Sequence, residues 1–66
     1  MNGLPIAEIW FEHDLEDGWY RMKEPNGISD TWGIASNALK FCKEQGWKLI
    51  WAGSDNYNPF NKGELD

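Results

Sequence analysis

The sequence predicts an α+β fold: a single small domain of order β-β-α-β, with a three-stranded antiparallel sheet in the order 2-1-3 and one helix packed on one face. Three observations predict it. Residues 5–13 alternate in hydrophobicity with period two, and an Asp-Gly pair follows before a second β-rich run. Ile34, Ala35, Ala38, Leu39 and Cys42 then fall on one stripe at helical spacing. Trp47 to Ala52 alternates again.

Each element follows from its residues. Ile6, Glu8, Trp10 and Glu12 share one face of the first strand, and Ala7, Ile9, Phe11 and His13 the other. Asp14-Leu15-Glu16-Asp17-Gly18 is a polar turn of hairpin type. The return strand, Trp19 to Glu24, sets Trp19, Arg21 and Lys23 against Tyr20 and Met22. Pro25-Asn26-Gly27 ends it as a turn. Ser29, Asp30 or Thr31 supplies the helix N-cap, since their side-chain oxygens accept the unpaired amides of a first turn. Lys40 and Lys43 suit the negative end of the helix dipole, and Gly46 suits the left-handed position past it. In the last strand Trp47, Leu49 and Trp51 are expected to meet the helix, because Lys48 shares the opposite face with Ile50 and Ala52. The domain is expected to span 1–54, with 55–66 as a loop or flexible acidic tail anchored by Tyr57 and Phe60.

A chain of 66 residues buries only about 60% of its unfolded surface, so its core is small. One cysteine excludes an internal disulfide and argues against a cysteine-based zinc site. The fold must therefore rest on aromatic packing, on an oligomer or on a partner. Aromatics make up 15% of the chain and five of them are tryptophan, more than so small a core can readily hold. No apolar run approaches the roughly 18–20 residues that cross a bilayer, and the start lacks a cationic and apolar leader. A cytoplasmic location without membrane contact is the expectation.

The net charge of −5 is unevenly spread. Residues 8–30 hold seven acids against Arg21 and Lys23, whereas residues 31–54 are weakly basic. This weighs against direct nucleic-acid binding, which needs a positive footprint. It suits a surface that occupies a basic site on another protein.

The candidate partner-binding residues are Trp10, Trp19, Arg21, Glu12, Asp14, Glu16 and Asp17. One group lies on the sheet face that the single helix leaves uncovered, since Trp and Arg are over-represented at binding hot spots. The other is the acidic turn. Either also has an ordinary structural role, as cross-strand pairing or as a solvated turn. No catalytic set can be assembled. His13 and Cys42 are separated along the chain, Cys42 lies on the apolar helix stripe, and the turn carboxylates do not follow a calcium-loop register. No metal and no cofactor are expected. Asn58-Pro59-Phe60 resembles the short Asn-Pro-Phe ligand of vesicle-traffic adaptor domains.

The function expected is that of a small acidic, non-enzymatic protein-binding module. It would be an inhibitor or adaptor of the phage or mobile-element kind, occupying a site on a larger protein. An anti-defence role is the concrete form, with carboxylates standing in for nucleic-acid phosphates. The alternatives are a homodimer or other homo-oligomeric accessory subunit that uses the open tryptophan-bearing face, and a stacking module for small ligands or oligonucleotides built on Trp10 and Trp19.

Overall fold

The computed structural model describes residues 3–14, 16, 19–60 and 65. Four strands and one helix follow in the order β1 (Ile6–Phe11), β2 (Tyr20–Lys23), β3 (Ser29–Trp32), α1 (Ala35–Gln45) and β4 (Lys48–Trp51). A short 3-10 turn, Asp55–Tyr57, comes after β4. The sheet order is β3-β2-β1-β4. The α+β class stands, and the expected neighbours of the central first strand are the observed ones. Two details are corrected. The sheet has four strands instead of three, and it is mixed instead of antiparallel, because β4 runs parallel to β1.

Both corrections have one cause. Ser29, Asp30 and Thr31 do not cap the helix; they form an edge strand paired antiparallel to β2, with Met22 opposite Asp30 and Tyr20 opposite Trp32. The turn before it is a hairpin. Gly27 takes φ +94°, the Asn26 side chain accepts from the Ile28 amide at 3.0 Å, and the Glu24 amide donates to Ile28 at 2.7 Å. This extra traverse reverses the sense of everything after it. The chain enters α1 from the opposite end of the sheet, and β4 emerges parallel to β1, as a β-α-β crossover requires.

The helix starts at Ile34, whose side chain makes no capping bond. Its end follows the expected design. Gly46 sits at φ +79°, its amide donates to Lys43, and the Trp47 amide reaches back to Cys42 at 2.8 Å. Lys43 occupies the last turn.

The sheet's helix face carries Ala7, Ile9, Met22 and Leu49, which meet Ala35, Ala38, Leu39 and Cys42 from α1. Two alanines on the helix let it approach the sheet closely. Tyr20, Trp32, Phe41, Trp47 and Trp51 wrap the margin of this core. Phe60 closes it from beyond β4: it is 9% exposed and its ring lies 6.3 Å from that of Trp51. The Asn58 side chain fixes this return by accepting the Phe60 amide at 2.9 Å. The Asn-Pro-Phe tripeptide therefore spends its phenylalanine on the core. Among the described residues no helix is long and apolar enough to cross a membrane.

Candidate functional site on the open sheet face

The pleat sends alternate side chains away from the helix. Cross-strand register then assembles the open face: Glu8 opposite Lys23, Trp10 opposite Arg21, and, from the parallel pair, Ile6 opposite Lys48 and Glu8 opposite Ile50. No element of the described chain forms a second layer here. A shallow groove of about 340 Å³ runs between Ile6, Glu8, Lys23, Pro25 and Ile50. Ile6 at its lip is half exposed.

Trp10, Glu12 and Arg21 form one connected unit on this face. The Trp10 indole N–H donates to Glu12 Oε1 at 3.1 Å, and Arg21 Nε lies 3.4 Å from the same oxygen. Both charged side chains remain about one-third exposed, so the pair contributes little to stability, of order 0–1 kcal/mol. Its effect is positional. One carboxylate holds an indole and a guanidinium in place, and a fixed aromatic–arginine pair loses little entropy on binding.

The structure separates the remaining candidates from this unit. The ring of Trp19 lies against Phe11, nearly parallel to it at 6.4 Å, and Phe11 belongs to the helix face of β1. The expected Trp10–Trp19 surface is therefore two places. Trp10 stays on the open face and Trp19 joins an aromatic group at the end of the sheet. Asp14 and Glu16 are exposed beside that end; Asp17 lies outside the described residues. Glu12, grouped in sequence with the acidic turn, is tied to Trp10 and Arg21 instead.

The aromatic group at the sheet end is larger than the sequence suggested. Tyr57 stacks on Phe11 at 5.0 Å, and His13 stands edge-on to both. Only the reading of Tyr57 as an anchor pointed to it. A second feature was hidden by distance in sequence. The Asp30 carboxyl, through hydrogen bonding first and charge also, pushes Glu24 above the usual carboxylate range; burial adds to this and the Asn26 amide opposes it.

Cys42 is buried, and burial, with the Glu24 charge second, pushes its thiol pKa up, away from the reactive thiolate. Among the described residues no group of three or more His, Cys, Asp or Glu side chains could hold a metal ion. This face presents an indole and a guanidinium held by one carboxylate, beside a shallow groove of mixed apolar and charged lining.

Comparison with protein-family models, curated proteins and solved structures finds no match to this chain.

Proposed function

We propose that this chain is a non-enzymatic protein-binding module that occupies a site on a larger protein, as an inhibitor or adaptor. The observation that supports the reading is the one-sided architecture. A four-stranded sheet carries its helix on one face, and on the other a fixed Trp10–Glu12–Arg21 unit beside a shallow groove lined by both apolar and charged side chains. Ordered tryptophan and arginine are the side chains that dominate protein interfaces. The net charge of −5 favours a basic partner surface, including one that otherwise holds nucleic acid, and an anti-defence role is the form we favour. The test is affinity capture from nuclease-treated host lysate with the native chain, Trp10→Ala and Arg21→Ala. One partner retained by the native chain and lost by both variants, each shown folded by circular dichroism, supports the module. Equal recovery by all three overturns the assignment of this face.

A second reading, self-association, rests on a different observation. The Lys48 amide donates to Pro5 and the Ala52 amide to Ile9, so alternate residues of β4 address β1. The amides of Leu49 and Trp51 then point to the outer edge, where no described residue pairs with them. A second copy added antiparallel about Ile50 would pair them. Sedimentation velocity decides: a dimer that Ile50→Lys dissociates supports this reading, and a monomer at all concentrations removes it.

A further inference from the structure

We propose that the aromatic end of the sheet is a docking site for an arginine-bearing segment of a protein partner. This rests on the module reading but places a contact on a different surface from the Trp10–Arg21 face.

Two large aromatic side chains are left in solvent there: Trp19 is 61% exposed and Tyr57 46%. They are not loose. The Trp19 amide donates to Trp32 at 3.1 Å, and its carbonyl accepts from Glu12 at 3.0 Å. Tyr57 is held by the 3-10 turn, whose N-cap Ser54 accepts the Asn56 amide. Phe11 lies 5° from the plane of Trp19 and 9° from that of Tyr57, so three nearly parallel rings form one stacked aromatic group. Rigid, exposed rings give contact area at little entropic cost.

The charge around this surface is of one sign. Asp14 follows His13, Asp55 precedes Tyr57 in the same turn, and all are exposed, as is Glu16. The described cations lie elsewhere. Arg21 is held by Glu12 on the open face, Lys23 and Lys48 pair opposite Glu8 and Ile6 at the start of β1, Lys40 lies along the helix with Ser36, Leu39 and Glu44, and Lys43 occupies the helix's last turn. An aromatic surface rimmed by carboxylates is complementary to a cation that can also stack. Guanidinium does both: it lies flat on an aromatic ring and takes a carboxylate in its plane. Phosphate is repelled by the same rim.

The experiment is a titration of the full chain, isotope-labelled for NMR, with a synthetic Gly-Arg repeat peptide, a Gly-Glu repeat of equal length and an oligothymidine strand. The Trp19 indole N–H and the signals of Tyr57 are expected to shift with the Gly-Arg peptide alone. Trp19→Ala or Tyr57→Ala should weaken that binding by roughly two- to fivefold each, the worth of an exposed cation–π contact. The combined variant Asp14→Asn, Glu16→Gln, Asp55→Asn leaves the rings in place and should also weaken it, with loss of the salt dependence. Absence of shifts at millimolar peptide, shifts confined to Trp10 and Ile50, or equal binding of the oligothymidine would each overturn the proposal. A captured partner that Trp10→Ala abolishes and Trp19→Ala leaves untouched would keep the module and remove this site.

Discussion

Cys42 Sγ lies 3.4 Å from Met22 Sδ, sulfur against sulfur, at the middle of the helix–sheet interface. Both residues are fully buried. The contact joins α1 to the strand between β1 and β3, and it fills a space that neither a larger nor a polar side chain fits well.

The thiol is therefore expected to be inert in the folded chain. A thiol reagent at neutral pH should modify Cys42 only at the rate of unfolding, and fully in denaturant. Cys42→Ser should cost about 1–3 kcal/mol, because it buries a hydroxyl whose side-chain partner, Met22 Sδ, is a weak acceptor. Chemical denaturation measures this. Rapid labelling of the native protein would contradict the buried placement.

Glu24 should make stability depend on pH. Its folded pKa is raised above the ordinary value of 4.5, so the fold favours its protonated form. That contribution is fully present below the unfolded value and is lost as pH rises through the folded value. Glu24→Gln keeps a neutral group there. It is expected to raise the melting temperature at pH 7 and to leave it unchanged near pH 3. Asp30→Asn should give the same sign at neutral pH, by removing the neighbouring carboxyl. Thermal melts at the two pH values check both.

Gly46 is required by its φ of +79° and not by crowding, since nothing lies within 4 Å of an added Cβ. Gly46→Ala is expected to cost about 1 kcal/mol through backbone strain alone. Gly53 is the contrary case. Its Cβ would come within 3.1 Å of Trp10 Cβ and 3.2 Å of the Trp51 ring. Gly53→Ala should therefore also destabilise, and it should shift the Trp10 indole resonance, which Gly46→Ala should leave in place.

Phe60 should matter far more than its place beyond the last strand suggests. Phe60→Ala is expected to cost about 3 kcal/mol, a large share of the 5–15 kcal/mol typical of small domains. Tyr57→Ala removes only a half-exposed ring and should cost less than half as much. Calorimetry on the two variants ranks them.

Much of this molecule was legible in the residues, and the failures are instructive. Periodic apolar residues announce themselves: Ala7 and Ile9, Met22, Ala35, Ala38, Leu39, Cys42 and Leu49 all read correctly as the core, whereas Ile34, expected on the same helix stripe, is the exposed N-cap residue. The strand Ser29–Trp32 did not, because Ser, Asp and Thr in a row look like a helix cap. At an edge strand the pairing partner, here Met22 opposite Asp30, decides the structure more than propensity does. Missing that strand also reversed the direction of β4. The open face was legible from alternation alone, including Trp10 and Arg21. That Glu12 would hold both was not, since it depends on side-chain geometry across the pair. Trp19 was misplaced because it sits at the turn, where the pleat no longer governs direction. The Trp19–Phe11–Tyr57 group joins residues more than forty positions apart, Phe11 and Tyr57, and one-dimensional spacing carries no signal for it.

The parallel pairing of β1 with β4 has a consequence in time. β1 is the central strand, yet one of its two partners lies beyond the helix, with Ile9 waiting for Trp51. On the ribosome the meander β1-β2-β3 can form as soon as Trp32 has emerged, since its contacts are local. It then exposes the β1 edge that β4 will cover, and an uncovered apolar face, until α1, β4 and Phe60 follow. At roughly 5–20 residues per second that interval lasts one to several seconds. The nascent chain is most open to chaperones, and to mispairing with its neighbours on the same message, in that window.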